Sequence, residues 1–300
     1  MKQHEPWHGP FNAVVTPFNE KGEIQFDDLR QLVEIAINDG ACGFAFCGHN
    51  GENWALSRPE RVQVAKTVVS QVNGRVPVIC GVGGTSPVEK IAICREVIDE
   101  GVDGVMLEAP YVITTATDDE VYDHYEQIAS AIGDTDILVY NNPRRTQIDI
   151  SPALLERLTQ IDNVKGLKES TRDFSQLTEK IARCGDKISI MVGPASMIYP
   201  GILMGAKGYV GSGPLEFMGR DGYRLYEAAV NRDHETAKPL QMKAKIMYDT
   251  LFGLGTWPAA LKAGLNLLGK PAGVPRAPVH ALNAEQVEQL RRRMQEVGLL

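Results

Sequence analysis

The feature that most constrains the fold of this 300-residue chain is a repeated alternation of short β-rich runs with longer helical stretches. Runs of β-branched and apolar residues predict strands, and the stretches between them place apolar residues at helical spacing. We predict eight strands, at residues 12–16, 43–47, 76–80, 104–107, 137–140, 164–168, 188–192 and 208–211. The intervening helices are predicted at residues 27–39, 58–72, 86–100, 118–132, 151–160, 173–183 and 196–204.

Residue types that favour helix starts stand at several of these boundaries. A side-chain oxygen just before a helix can accept a hydrogen bond from an N–H of the first turn, and proline is tolerated within that turn. The expected N-caps are Asp27, Ser57, Ser86 and Ser151, and the expected first-turn prolines are Pro87 and Pro152.

Strands that alternate with helices form a parallel sheet, because each crossover must return along the outside of the sheet. Eight such units are the number that closes a (β/α)8 TIM barrel, and a doubly wound open sheet is the competing architecture. We predict an α/β protein whose barrel spans residues 9–213 and carries the active site. Residues 214–300 are predicted to form a C-terminal helical region packed on the barrel, with helices at 215–231, 234–250, 256–268 and 284–297.

Composition excludes several classes of function. The net charge of −7 argues against binding to nucleic acid or to an anionic membrane, and no apolar run is long enough for a membrane span. The N-terminus lacks the apolar core of a signal peptide, so we expect a cytoplasmic location. The five cysteines form no CxxC pair and sit among apolar neighbours, which indicates core residues rather than a disulfide or a metal site.

A barrel carries its chemistry at the C-terminal ends of its strands, and Lys168 stands at one of them. This lysine closes the apolar run 164–168, where a solvated surface lysine has little reason to lie. Lys165 lies near the start of the same strand, on the face that serves stability, and is the poorer candidate. A lysine amine attacks a carbonyl only when desolvation or nearby charge lowers its pKa. The iminium that results can accept electrons, so a carbon–carbon bond can form or break beside it without a metal.

Other strand ends supply partners for this lysine. Tyr140 ends the neighbouring strand and can relay protons, although a tyrosine before a turn can also simply cap the core. The loop His49-Asn50-Gly51 can present backbone N–H groups to a carboxylate, with Glu52 fixing the loop. His49 alone could be structural. Arg145 offers a planar fork for a second carboxylate or a polyol acid, or it forms an ordinary surface ion pair.

Three other readings compete with this one. The glycines of 81–84 could cradle a phosphate, but the spacing misses the full dinucleotide fingerprint. A metal-dependent aldolase is disfavoured because the six histidines are dispersed. A non-catalytic barrel would be expected to lack Lys168 or Tyr140, and both are present.

Four segments together resemble the dihydrodipicolinate synthase / N-acetylneuraminate lyase family of class I pyruvate-type aldolases. They are Gly48-x-x-Gly51-Glu52, Tyr140-Asn141-x-Pro143, Gly166-Leu167-Lys168-Glu169-Ser170 and Pro258-Ala259-Ala260-Leu261-Lys262. The resemblance implies a (β/α)8 barrel, a small-molecule 2-oxo acid substrate, no cofactor, no metal and a homotetramer built as a dimer of dimers.

The resemblance also implies roles for individual residues. It places the iminium on Lys168 and the proton-relay phenol on Tyr140. It places recognition of the pyruvate carboxylate on His49 and Asn50. It further implies that Val210 lines the pyruvate site and that Arg145 holds the carboxylate of a second substrate.

Two departures from the family pattern bear on the substrate. His49 and Asn50 stand where the synthase has two adjacent threonines, and Val112 stands where it has a second tyrosine. We therefore predict aldol cleavage, condensation or dehydration of a 2-keto-3-deoxy sugar acid or another hydroxylated 2-oxo acid. The alternative is an authentic dihydrodipicolinate synthase (4-hydroxy-tetrahydrodipicolinate synthase), which condenses pyruvate with aspartate semialdehyde.

Overall fold

The eight strands of the protein form one closed parallel barrel in a computed structural model that describes residues 7–211 and 213–300. Each strand pairs with the next, and the eighth pairs with the first. The strands are β1 Gly9–Asn12, β2 Gly43–Phe46, β3 Val78–Val82, β4 Gly104–Glu108, β5 Asp136–Asn141, β6 Val164–Glu169, β7 Ser189–Val192 and β8 Gly208–Val210. The predicted (β/α)8 barrel is confirmed.

Thirteen α-helices are found in the described part of the chain. Around the barrel lie α1 Phe26–Asn38, α2 Arg58–Val72, α3 Pro87–Asp99, α4 Asp118–Ala131, α5 Pro143–Thr146, α6 Pro152–Leu158, α7 Phe174–Cys184 and α8 Ile198–Leu203. After the last strand come α9 Pro214–Met218, α10 Arg220–Val230, α11 His234–Gly253, α12 Trp257–Leu267 and α13 Ala284–Glu296. The division at residues 213 and 214 stays a prediction.

The first 6 residues, which include most of the segment tested for a signal peptide, lie outside the described residues. Ser212, in the loop predicted after the eighth strand, also lies outside them. No helix in the described part of the chain combines the length and apolar character needed to cross a bilayer. Four of the five cysteines are buried and all five are unpaired, as expected for core residues.

The helix starts follow the expected chemistry with one exception. The side chains of Ser57, Ser86 and Ser151 each accept a hydrogen bond from a backbone N–H three residues later. Asp27 is not an N-cap, because α1 begins at Phe26 and Gln25 precedes it without a side-chain cap.

The first strand lies three residues before its predicted position. Residues 12–16 are apolar and β-branched, but beyond Asn12 their backbone meets side chains instead of a neighbouring strand. The N–H of Ala13 donates to Glu216 Oε1 at 3.0 Å, and Asn50 Nδ2 donates to the carbonyl of Ala13 at 3.2 Å. The strand prediction was wrong here because the pairing partners are remote in sequence.

The third strand continues two residues beyond its predicted end, through Gly81 and Val82. A Cβ at Gly81 would lie 2.4 Å from the carbonyl oxygen of Cys47. Glycine therefore serves close packing between β3 and the end of β2, and does not end the strand.

The predicted helix 215–231 is two helices. Gly219 has φ of 56° and separates α9 from α10. This left-handed conformation is accessible to glycine at little steric cost, so the chain turns where a continuous helix was expected.

Candidate active site

Three side chains from neighbouring strands form one row at the C-terminal end of the barrel. Glu108 on β4 is in register with Tyr140 on β5, and Tyr140 is in register with Lys168 on β6. Residues in register on adjacent parallel strands share a face of the sheet. The row therefore brings a carboxylate, a phenol and an amine together at the mouth of the barrel.

Lys168 is buried and its amine has no conventional partner. Its side chain is among the buried residues at 5% exposure, and its Nζ lies 4.3 Å from the centre of the Tyr140 ring. Within residues 7–211 and 213–300, Nζ makes no hydrogen bond and no ion pair. Burial lowers the pKa of Lys168 to about 8, although the carboxylates of Glu108 and Glu216 act in the opposite direction. A sizeable fraction of neutral amine is therefore present near neutral pH.

Tyr140 combines a buried ring with a hydroxyl that reaches the cavity. Its ring belongs to the inner core of the barrel, together with Met191 and Val210. Its hydroxyl accepts a hydrogen bond from Asn142 Nδ2 at 3.0 Å. Burial, together with the charge of Glu108, raises the pKa of Tyr140, so the phenol stays protonated at physiological pH. The tyrosine is thus a core residue and a proton carrier at the same time.

His49 is paired with a carboxylate that sequence reasoning did not single out. Its Nε2 lies 2.9 Å from Glu108 Oε1, and its ring centre lies 5.5 Å from that of Tyr140. Burial alone would raise the pKa of Glu108. The contact with His49 and the nearby amines of Lys90 and Lys168 bring the pKa of Glu108 below its ordinary value instead. Glu108 is therefore a carboxylate that faces an imidazole.

Asn50 holds the loop with its side chain. Its Nδ2 donates to the carbonyls of Ala13 and Gly211, and its Oδ1 accepts from Trp257 Nε1 at 2.8 Å. Because both ends of the amide are engaged, a bound carboxylate would meet the backbone of the loop at this position.

Glu52 fixes the same loop to the C-terminal helices, as the sequence suggested. Its Oε1 lies 2.6 Å from Nζ of Lys262, and its Oε2 accepts from the backbone N–H of Arg276 at 2.9 Å. Glu52 itself has φ of 53°, so the backbone turns sharply at the residue that the lysine holds. The carboxylate loop is therefore anchored by residues more than 200 positions away in the chain.

Two cavities open at the mouth of the barrel, and His49 and Arg145 line both of them. The cavity of about 320 Å³ is also lined by Asn50, Tyr140, Asn142 and Ser170. The larger, of about 550 Å³, is also lined by Glu108 and Tyr111. Val210 lines neither cavity and is fully buried on β8, in register with Phe11 of β1.

An aromatic cluster from the C-terminal helices forms one wall of the smaller cavity. Its members are Tyr248, Phe252 and Trp257, with neighbouring ring centres 4.4 to 5.6 Å apart. Arg144 stacks on Phe252 at 5.5 Å, and Arg172 stacks on Tyr248 at 5.5 Å. Within the described residues, Arg144, Arg145 and Arg172 form no ion pair with a carboxylate. The alternative interpretation of Arg145, a surface ion pair, is therefore not supported.

Sequence reasoning missed two carboxylates of the site. Glu108 follows the apolar run of the fourth strand, and the predicted end at residue 107 left it out. Glu216 comes from α9, where it accepts from the N–H of Ala13 at 3.0 Å. Burial raises the pKa of Glu216. Glu108 could have been found by including the residue that follows each predicted strand. No local sequence pattern identifies Glu216.

Comparison with known proteins agrees with this geometry. The model of the dihydrodipicolinate synthetase family matches residues 6–297. A 4-hydroxy-tetrahydrodipicolinate synthase of Geobacter metallireducens is 35% identical over 292 residues, which cover 97% of this chain and 99% of that protein. A similar enzyme of Syntrophobacter fumaroxidans is 33% identical, over 98% of this chain and 100% of its own length.

Solved structures show the same fold along the whole chain. The dihydrodipicolinate synthase from Acinetobacter baumannii, solved as a complex with pyruvate, superimposes with a TM-score of 0.92 at 28% identity. The match covers 98% of this chain and 100% of that one. The barrel, the strand-end lysine and the comparisons lead to one conclusion. The chain belongs to the dihydrodipicolinate synthetase family and is, with it, a lyase of the class I aldolase type.

Proposed function

We propose that Lys168 attacks the C2 carbonyl of pyruvate or a related 2-oxo acid and forms an iminium. The observation that carries this proposal is a buried amine, without a hydrogen-bond partner among residues 7–211 and 213–300, in register with a buried phenol. Burial lowers the pKa of Lys168 to about 8, which supplies the neutral amine that attack requires. No metal or organic cofactor is needed, since the iminium itself accepts the electron pair.

Tyr140 is proposed to carry protons for this chemistry. Its hydroxyl stays protonated and sits within the cavity where the carbinolamine would form and lose water. The substrate carboxylate is proposed to bind at the loop after β2, where the N–H groups of Asn50 and Gly51 donate to no acceptor within the described residues. Such a run of free N–H groups favours an anion. Val210 is proposed to line the pyruvate site on the side of the methyl group.

For the second part of the substrate we propose a hydroxylated chain, as in a 2-keto-3-deoxy sugar acid. His49 and Asn50 replace the two hydroxyls of the synthase pattern, and Val112 is largely exposed at 69%. Arg144 and Arg145, which form no ion pair in the described part of the chain, line the cavity, and Arg145 can hold hydroxyl or carboxylate oxygens through its planar fork. These features support cleavage, condensation or dehydration of a polyhydroxylated acid.

The second candidate is the condensation of pyruvate with aspartate semialdehyde. It is supported by the names of the relatives, which are 4-hydroxy-tetrahydrodipicolinate synthases at 33 to 35% identity. Arg145 could hold the carboxylate of the semialdehyde in that case. The same iminium on Lys168 would serve both candidates, so the distinction lies in the second substrate.

The iminium is tested by reducing the enzyme with borohydride in the presence of pyruvate and measuring the intact mass. We expect one reduced pyruvate adduct in the native enzyme and none in Lys168→Ala. Lys165→Ala is the matched control, because Lys165 lies on the same strand with an exposed side chain. Absence of the adduct, or its persistence in Lys168→Ala, would contradict the proposal.

The substrate class is tested by pairing pyruvate with a panel of aldehydes that includes glyceraldehyde, glycolaldehyde, erythrose and aspartate semialdehyde. A set of 2-keto-3-deoxy acids is assayed in parallel for cleavage and dehydration. We expect turnover of the hydroxylated compounds. Efficient formation of the cyclic product from aspartate semialdehyde would favour the second candidate.

The homotetramer and the cytoplasmic location stay predictions. The tetramer rests on family resemblance, and sedimentation of the purified protein tests it. A mass of one or two chains would contradict it.

A further inference from the structure

Two contacts define the state of the His49 imidazole. On one side, Nε2 lies 2.9 Å from the Glu108 carboxylate, which can only accept a hydrogen bond when ionised. On the other side, Nδ1 lies 3.4 Å from Nδ2 of Asn142, and an amide nitrogen can only donate. Of the two neutral tautomers, the one with its hydrogen on Nε2 and its lone pair at Nδ1 matches both neighbours. This is the arrangement of a general base held by a carboxylate.

The base nitrogen faces the reacting centre. Asn142 Nδ2, the neighbour of Nδ1, also donates to the Tyr140 hydroxyl at 3.0 Å. The Tyr140 ring in turn lies under the amine of Lys168. Nδ1 of His49 and the phenol oxygen thus contact the same amide nitrogen, and His49, Tyr140 and Asn142 all line the cavity of about 320 Å³.

The substrate must extend through this volume. With C2 bonded to Lys168 and the carboxylate at the loop after β2, the remaining chain can only lead away from the floor, into the open cavity. His49 and Arg145 line that route. A hydroxyl on C4, two bonds beyond the iminium carbon, is the first polar group of the substrate to pass His49.

We propose that His49 is the base that accepts the proton of the C4 hydroxyl, and that Glu108 is the residue that positions it. This inference rests on the proposed iminium at Lys168. As the O–H proton moves to Nδ1, the C4–O bond becomes a carbonyl and the C3–C4 bond breaks. Its electron pair forms the C2–C3 double bond of an enamine, and an aldehyde leaves. C3 then takes a proton, and water releases pyruvate from Lys168. In the condensation direction, the protonated His49 returns the proton to the aldehyde oxygen.

The end of β4, which bears Glu108, is held by two other buried residues. Lys90 is fully buried on α3, and its Nζ donates to the backbone carbonyl of Glu108 at 2.6 Å. Its Nζ also lies 3.0 Å from Nε2 of His124, which is buried on α4. Because desolvation and the charge of Lys90 lower the pKa of His124 to about 3, that imidazole is neutral and can accept the hydrogen bond. The carboxylate that orients His49 is thus fixed through its own backbone.

The variant His49→Asn separates this role from the chemistry of the lysine. It keeps a polar side chain of similar reach and removes the base. With the fastest aldehyde of the panel, we expect condensation to fall by about 10²- to 10⁴-fold in kcat. Trapping of pyruvate by borohydride and exchange of its methyl protons with deuterium should stay within about twofold, because these steps need only Lys168 and Tyr140. His234→Asn, at the exposed start of α11, is the matched control, and His49→Gln is the second variant.

The possible results of this experiment either support or overturn the role of His49 as the base. Loss of condensation with trapping and exchange retained supports the base role. Retained condensation in both His49 variants overturns it, and so does loss of trapping, which would mean that His49 serves iminium formation or the carboxylate. A native enzyme that traps pyruvate but condenses it with none of the aldehydes also overturns it. Failure of the native enzyme to trap pyruvate would instead refute the proposed function.

Glu108→Gln tests the positioning role. The charged or titratable groups around His49 are Glu108, Tyr140, Arg145, Lys168 and, behind Glu108, Lys90. Glu108 also raises the pKa of Lys168, so its removal moves the acid limb of both condensation and pyruvate trapping to lower pH. If Glu108 also positions the base, the limb of condensation should move further than the limb of trapping, which reports the lysine alone. Equal movement of the two limbs would overturn this part. Glu126→Gln, on the exposed face of α4, is the matched control.

Discussion

Two buried lysines show how differently one side chain can be used in this molecule. Lys168 at the end of β6 and Lys262 in α12 are 5% and 1% exposed, and burial lowers the pKa of each to about 8. Their partners differ. Lys262 is held by the Glu52 carboxylate at 2.6 Å and by the carbonyls of Thr16 and Val274 at 2.7 and 2.8 Å.

Within the described residues Lys168 has none of these contacts, and its amine lies over the ring of Tyr140. An amine with three oxygen acceptors keeps its proton in hydrogen bonds and serves the fold. An amine that lies over an aromatic ring and makes no hydrogen bond loses no such bond when it is deprotonated, and its lone pair can then react. Depth of burial therefore does not identify a reactive lysine here, whereas the absence of acceptors does.

The largest expected effect is the loss of activity when Lys168 is replaced. Lys168→Met should abolish condensation and pyruvate trapping, since no other amine can form the iminium. It should not lower the free energy of unfolding, because it removes a buried charge that has no ionic partner. Steady-state assays and denaturant unfolding of the same preparation check both statements. Strong destabilisation would mean that Lys168 is structural, as Lys262 is.

Lys262→Met reverses the pattern. It leaves the buried Glu52 carboxylate without its cation, so we expect a loss of about 3–5 kcal/mol in the free energy of unfolding. Lys66→Met, at an exposed position of α2, is the matched control in urea denaturation. Adding Glu52→Gln to Lys262→Met should recover part of the loss. An unchanged free energy of unfolding in Lys262→Met would show that Lys262 is not structural and that the two lysines do not differ in this way.

The pH dependence of imine formation sharpens the comparison. Lys168 reacts as the neutral amine, and its pKa is lowered to about 8. The rate of adduct formation under single-turnover conditions should therefore rise about tenfold per pH unit below that value and level off above it. A rate that still rises near pH 10 would show that burial has not shifted the lysine. Between about pH 8 and the ordinary lysine value near 10.4, the unfolded chain binds the extra proton, so this group makes stability rise with pH.

The smallest effect concerns the loop that the C-terminal helices hold. Trp257→Phe keeps the aromatic stacking and removes the hydrogen bond to Asn50, at an expected cost of about 1 kcal/mol in unfolding free energy. Because the loop after β2 is loosened, KM for pyruvate should rise several-fold while borohydride trapping persists. Unchanged KM would show that Lys262 alone fixes the loop.

Much of the barrel and the centre of the site could be predicted from the sequence. The eight apolar runs and their spacing predicted the closed sheet, and reading the strand ends identified Lys168 beside Tyr140. These signals are local, because each lies within one strand and the turn that follows it. The pairing of the two residues then follows from strand order alone.

The remaining features depend on contacts between distant segments. The β1 prediction was wrong because Glu216 and Asn50, and not a strand, satisfy the backbone at Ala13. Glu108 is distinguished from other polar residues at strand ends by its contact with His49, which comes from a different loop. No periodicity in the sequence encodes which loop meets which helix.

The anchoring of the loop after β2 has a consequence for how barrels of this kind can exchange specificity. Its residues Asn50 and Glu52 are held by Trp257 and Lys262, which lie in the last third of the chain. A loop transferred from a relative would lack the contacts that hold it in that relative. A new C-terminal segment would likewise remove the contacts that hold the present loop. A change of this loop that is to keep its conformation must therefore be accompanied by matching residues in the C-terminal segment.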